Sequence, residues 1–435
     1  MPARHVVQKQ MEKLMFALDM YRQLAEEAGQ NEDIFFSPVS VLAAMSIATA
    51  GAAGNTGEEL ARALGTENTT VYHEQLGESL SALADDPALN MANAIWVNSD
   101  YSLRDSYTSM VEKVYGAEAE NIDVSFPEKV KALVDGWINE ETDGIIDDVI
   151  PLGVINGDLL ALITNAIVMT VKWETQFDPK ETFEQGFTLA SGEGVSTLLM
   201  SQYNTEVRYA QDQFDLPEYY TDYVRTSGWK SVTLPFAGSD LEMICVLPRN
   251  SDLDTVVANL TSEDIERMAS VGPQELRALT LPKWKTDVKY SLVKAFKALG
   301  VEEAFGPGAD FSEMTRDVSP YIVDVIHKAS AAVDEEGAKM AAATVVVMGL
   351  ESCMSGPSLE FVANEEMLYI VRDPSTGYIA FMGRVSSPHL SEWEDEEEEA
   401  EELDHNEVRN AYMNCNYGGT RTASQNENGE YEIME

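Results

Sequence analysis

The stretch "LLALITNAIVMTVKW", Leu159–Trp173, decides how the rest of the chain is read. It is too apolar and too β-branched for a surface helix, and its second half predicts a central strand buried on both faces. Before it, helical patterns dominate. Met11, Leu14, Leu18 and Tyr21 recur at helical spacing. "FFSPVSVLAAMSIATAGAAG" places Ser37 as N-cap and Pro38 at the first helical turn, with Gly51 and Gly54 ending a buried helix. "NTGEELARALG" and "PEKVKALVDGWINEETDGII" predict two more helices, and "NAIWVN" a strand. After Leu159 strands become frequent. "SVTLPF" and "LEMICVLP" flank an "AGSD" turn, "LPKWKTDVKY" predicts one strand, and "LYIVRDPSTGYIAFMGRV" a hairpin. "SLVKAFKALGVEEAF" is a helix ended by Gly300. Helices first and strands later, without βα alternation, predict an α+β fold.

The 435 residues would ordinarily hold two or three domains, and 44% hydrophobic residues supply a large core. Charge is the outlying property: 29 Lys+Arg against 75 Asp+Glu, a net −46. Such a chain repels nucleic acid and anionic membranes, leaving proteins, cations or small molecules as partners. The acids are spread along the chain, which predicts a protein adapted to high salt; a mesophilic body with an acidic tail is the alternative. No apolar run reaches membrane-spanning length and the N-terminus has no signal core, so a cytoplasmic protein is expected, export remaining open.

Three cysteines, Cys245, Cys353 and Cys415, make no disulfide framework, and Cys245 reads as a buried small hydrophobe. The five histidines show no metal-ligand spacing, and neither metal nor cofactor is expected. No GxSxG, P-loop or HExxH pattern points to an enzyme. From Glu392 to Asp404, ten of thirteen residues are acidic. Residues 391–435 therefore read as a disordered, solvated tail, with a tether for a basic partner as the alternative. "LPEYYTDYVRTSGWK", Leu216–Lys230, reads as an aromatic segment packed on the body.

"DIFFSPVSVLAAMSIATAGAAGNTGEEL", "NAIWV", "TNAIVMTVKWETQFDPKET", "LPKWK", "LGVEEAFGPGADFSEM", "DVIHKASAAVDEEG" and "FMGRVSSP" follow one another in the order of a known family. From Phe16 to about Pro388 the chain resembles the serpins, serine protease inhibitors. The resemblance implies one domain over 1–390, with about nine helices, a large central sheet and two smaller ones. It also implies an exposed reactive-centre loop over about 335–360. With the charge, it points to an inhibitory, prokaryotic, salt-adapted member, acting as a monomer on a serine protease. That mechanism is suicide inhibition. The protease cleaves the loop and becomes acylated, and the freed loop inserts into the central sheet, dragging the protease with it. The alternative is a noninhibitory binding or chaperone-like serpin.

The segment "VDEEGAKMAAATVVVMGLES" carries the inhibitory signature. Glu335, Glu336, Gly337, Ala338, Lys339, Met340, Ala341, Ala342, Ala343 and Thr344 match the family's hinge. Gly337 is read as supplying backbone freedom. Counting by twos puts Ala338, Met340, Ala342, Thr344, Val346, Met348 and Leu350 on one face, all able to be buried. Ala338 and Met340 depart from the usual Thr or Ser and Ala. Family spacing puts the specificity residue at Glu351, before Ser352, with Leu350, Ser352 and Cys353 as neighbouring candidates. Glu351 implies a Glu-specific protease, Leu350 a chymotrypsin- or subtilisin-like one. The resemblance also assigns Ser40, Asn165 and His327 to a polar gate, bonded to one another under the sheet. Lys283 and Glu335 match an ion pair at its top, with Trp173 nearby.

Overall fold

A computed structural model describes residues 2–157, 159–213, 228–316, 320–338, 359–388, 423–425 and 431–433. Contacts divide the chain into two units, Met1–Pro388 and His389–Glu435. In the second, the described residues are two short strands, Ala423–Gln425 and Tyr431–Ile433, paired antiparallel.

The first unit has nine α-helices among its described residues: α1 (Pro2–Glu27), α2 (Pro38–Ala50), α3 (Gly54–Ala63), α4 (Thr70–Ala84), α5 (Asp105–Tyr115), α6 (Pro127–Glu141), α7 (Leu253–Asn259), α8 (Ser262–Ser270) and α9 (Val293–Ala298). Its strands are β1 (Ile34–Phe36), β2 (Leu89–Asn98), β3 (Glu118–Ile122), β4 (Ala161–Met169), β5 (Val171–Lys172), β6 (Thr182–Thr188), β7 (Gly194–Gln213), β8 (Gly228–Pro235), β9 (Glu242–Arg249), β10 (Pro273–Pro282), β11 (Trp284–Ser291), β12 (Ile326–Val333), β13 (Gly337–Ala338), β14 (Glu360–Val362), β15 (Met367–Arg372) and β16 (Ile379–Val385).

Local chemistry accounts for several element ends. The Ser37 hydroxyl accepts from Ser40 N at 3.1 Å, and Pro38 needs no donor at the first turn, so α2 starts where the pattern predicts. Gly51 ends α2 at φ −91°, an ordinary right-handed value, so its role is not a left-handed cap. A Cβ there would lie 2.7 Å from Met314 Cβ, and close packing requires the glycine. "LPKWKTDVKY" is not one strand. β10 ends at Pro282, which has no N–H for the ladder, and the chain enters another sheet as β11. The predicted hairpins form β8–β9 and β15–β16.

A nine-stranded sheet runs β1-β16-β15-β9-β8-β7-β10-β14, with β6 added beside β7. Cys245 lies in its β9, fully buried as expected, and burial pushes its thiol pKa up. The central sheet is present in two pieces, β3-β2-β4 and β11-β12-β13-β5. Only Thr170 separates β4 from β5, so both pieces share one strand path. Above the parting, β13 lies between β5 and β12. Below it, among the described residues, β4 pairs with β2 alone and β12 with β11 alone. Among the described residues no strand supplies a second ladder to the strand read as central, so its other edge is unpaired below β13. A separate apolar cluster joins Val130, Val134 and Ile138 of α6 to Ala94 and Trp96 of β2 and to Leu162, Ala166 and Val168 of β4.

Candidate functional site: a parted sheet and its hinge

The hinge turns back on itself where β12 ends. The Asp334 carboxylate accepts from Glu336 N at 2.8 Å and Gly337 N at 3.2 Å, and Asp334 N donates to Gly337 O at 3.0 Å. An Asp followed three residues later by Gly is the sequence signal for such a turn. Three successive carbonyls are then held from the β5 side. Trp173 Nε1 donates to Asp334 O at 2.9 Å, Phe177 N to Glu335 O at 2.9 Å, and Trp173 N to Glu336 O at 2.8 Å. Trp173 is buried, stacked on Phe236 at 5.0 Å.

Beyond the turn, β13 runs antiparallel to both neighbours. Ala338 pairs with Val333 of β12 and with Val171 of β5, and Gly337 pairs with Lys172. A Cβ on residue 337 would overlap the Val171 carbonyl oxygen and sit 2.6 Å from Lys172 Cα. Glycine is thus required by close approach of the neighbouring strand, a constraint different from backbone freedom. With one strand between them, β5 and β12 stand two strand spacings apart, about 9.6 Å.

The expected ion pair is present: Lys283 Nζ lies 3.0 Å from Glu335 Oε2, with only 14% and 11% of the two side chains exposed. Glu336 makes a more exposed pair with Lys172 at 2.8 Å. Lys339, Met340, Ala341, Ala342, Ala343, Thr344, Leu350, Glu351, Ser352 and Cys353 lie outside the described residues, as does most of the Tyr-rich segment.

Between β4 and β12 lies a cavity of about 370 Å³. Ser40, Asn165 and His327 all line it, but they are not bonded to one another as expected. His327 Nε2 accepts from Ser37 N at 3.0 Å, and Asn165 Nδ2 donates to Asn93 Oδ1 at 2.8 Å. The Asn165 Oδ1 is buried with no hydrogen-bond partner among the described residues. The gate differs from expectation because the strands carrying Asn165 and His327 stand apart. Ser37 was read in the sequence as a helix cap alone and Asn93 only as part of a strand, since neither carries a pattern that marks a gate partner.

Burial lowers the His327 pKa to about 4, and that of His73, held by Tyr115 and Asn68, likewise to about 4. Both are neutral in the fold. Below the unfolded value of ~6.5, the unfolded chain binds protons that the folded one does not, so this contribution to stability falls from pH 7 to pH 5 and the loss saturates below about 4. For His327 the loss over that interval is about 2 kcal/mol. In His327→Asn, the decrease in unfolding free energy between those pH values should be smaller by that amount, measured by urea titration. Equal decreases would refute the assignment.

The serpin (serine protease inhibitor) family matches residues 11–388. The chain belongs to the serpin family, whose members are in general protease inhibitors. It is 32% identical over 386 residues to an uncharacterized serpin-like protein of Methanosarcina acetivorans, covering 87% of each chain. It is 30% identical to Serpin B3 of Homo sapiens, covering 86% of this chain and 97% of that one. In fold it is similar to cleaved Serpin 42Da, with TM-score 0.75 and 24% identity over 88% of this chain and 99% of that one. Thyroxine-binding globulin in complex with thyroxine has the same TM-score at 20% identity, over 87% and 99% of the two chains. No helix among the described residues is long and apolar enough to cross a membrane.

Proposed function

We propose that this serpin inhibits a serine protease as a suicide substrate, its cleaved loop entering the opening between β4 and β12. One observation carries the reading: Gly337–Ala338 already lie as a strand between β5 and β12, antiparallel to both. A loop continuing that register needs no change of direction. Six residues beyond Ala338 is Thr344; six before Val333 is His327, and six before Val171 is Asn165. Continued insertion brings Thr344 between the two gate residues. Paired residues share a face, and Val333 and Val171 are buried, so the small and apolar even-numbered loop residues take the buried face. An inserting backbone also supplies ladder bonds to both open edges, as in other strand additions.

We place cleavage between Glu351 and Ser352, which selects a Glu-specific protease; cleavage after Leu350 selects a chymotrypsin- or subtilisin-like one. Incubation with each of these proteases, followed by denaturing electrophoresis, tests the function. A covalent band near the summed mass is expected with at least one. Loop cleavage without such a band in every case refutes inhibition and favours the noninhibitory binding reading.

The net charge of −46 supports salt adaptation, since repulsion among surface carboxylates weakens as the Debye length shrinks. The thermal midpoint should rise between ~0.1 and ~3 M KCl. A midpoint that does not rise would refute this.

A further inference from the structure

The face of α6 turned away from the sheet carries an apolar stripe. Val130, Val134 and Ile138 are buried on the sheet side. Lys129, Leu133, Gly136 and Glu140 recur at i, i+4, i+7 and i+11, so they share one line along the helix, and all four are exposed. Phe126 stands at the start of the line, with Lys129 Nζ 4.6 Å from its ring centroid. Phe126 and Leu133 are 52% and 43% exposed. Gly136 has no reason within the fold. A glycine inside a helix weakens it relative to alanine. Gly77, inside α4, has a visible cause: a Cβ there would overlap the Val114 carbonyl oxygen of α5, so the two helices cross closely over a glycine. A Cβ on Gly136 would meet nothing within 4 Å, and its backbone is not left-handed.

We propose that this face of α6 docks on the same face of a second copy of the chain, the two helices antiparallel about a two-fold axis between Leu133 and Gly136. In such a self-complementary contact, positions equally far from the axis face each other, and each contact occurs twice. Leu133 then meets Gly136 of the second copy, and Lys129 meets Glu140 of the second copy. Gly136 supplies the hollow for the leucine and lets the helix axes approach, as Gly77 does between α4 and α5. The charges choose the occupant and its direction. Among the described residues neither Lys129 nor Glu140 makes an ion pair within the chain. They stand about 16 Å apart along the helix, and a parallel pairing would set lysine against lysine. Exposed ion pairs of this kind fix register more than affinity. One helix face is small beside the roughly 1,200 Å² of a stable interface, so the association depends on protein concentration. The net charge of −46 opposes it at low salt. At ~1 M ionic strength the Debye length is ~3 Å, which screens repulsion between the bodies while ions in contact still attract. The pairing is independent of the loop-insertion reading.

Sedimentation of the full chain over a concentration series tests this. At ~1 M KCl the mean mass should climb from one chain toward two, and at ~0.1 M KCl it should stay near one. Leu133→Glu and Gly136→Leu should each weaken association roughly tenfold or more. Gly136→Ala has two effects of opposite sign. It should raise the thermal midpoint of the single chain at ~0.1 M KCl by roughly 1 °C, yet weaken association at ~1 M. Lys129→Glu and Glu140→Lys each set like charges against each other at both ends of the contact, and each should weaken it roughly threefold or more. The two together should return toward the parent, which damage to the fold would not produce. Phe183→Glu, at a 50% exposed apolar position on β6, should leave association unchanged. A parent of one mass at every concentration and both salts overturns the proposal, as does association indifferent to Leu133→Glu and Gly136→Leu. A double charge exchange that associates no better than the single ones overturns the antiparallel pairing.

Discussion

On the proposed inhibitory reading, Thr344→Arg is expected to replace trapping of the protease by plain cleavage of the loop. On the proposed insertion residue 344 falls between Asn165 and His327, and both line the cavity between β4 and β12. A guanidinium there meets a histidine and an asparagine but no carboxylate among the gate residues. Burying an unpaired charge costs several kcal/mol. If about half of a ~3 kcal/mol penalty is felt in the insertion transition state, entry slows roughly tenfold. Deacylation then overtakes trapping. The loop should be cleaved at the parental rate, while the covalent band falls roughly tenfold or more. An undiminished band would show that residue 344 is not buried during trapping. Thr344→Ala is the control; it keeps the volume small and should retain most of the band.

Glu335→Lys should have the second largest effect. Lys283 and Glu335 are both about nine-tenths buried and 3.0 Å apart. Removing one partner of such a pair costs about 3–5 kcal/mol, because the other is left desolvated and unpaired. Replacing it with a second lysine adds repulsion. For a folded unit of this length the unfolding entropy is on the order of 0.8 kcal/mol/K, so the midpoint should fall by roughly 5 °C. The damage is local. Glu335 O is one of the three carbonyls that hold the hinge to Trp173 and Phe177. Loosening it frees the head of the slot, and heat-induced polymers should form at a lower temperature. Lys283→Glu combined with Glu335→Lys should recover part of both losses. Unchanged polymerisation in the single variant would remove this pair from control of the sheet.

The two predictions differ in how far the sequence could support them. The hinge composition, the Lys283–Glu335 pair and the burial of Trp173 were all readable, because each depends on residue type at a position the family resemblance supplies. The role of Gly337 was misread, because the clash with Val171 and Lys172 comes from a strand far away in the chain. The gate was half legible. Its members line one cavity, yet their partners are Ser37 and Asn93, chosen by how far apart β4 and β12 stand.

Leu159–Trp173 marks the division. By itself the sequence determined that the second half of this segment is strand, since β-branched residues at that density favour one. It likewise determined the helix caps, the hairpins and the alternation in the loop, all properties of neighbours along the chain. Only the tertiary structure decided that, among the described residues, this strand is paired on one side alone below β13. The reason is physical: strand pairing and the closing of a cavity depend on the distance between segments remote in sequence. No local pattern encodes that distance.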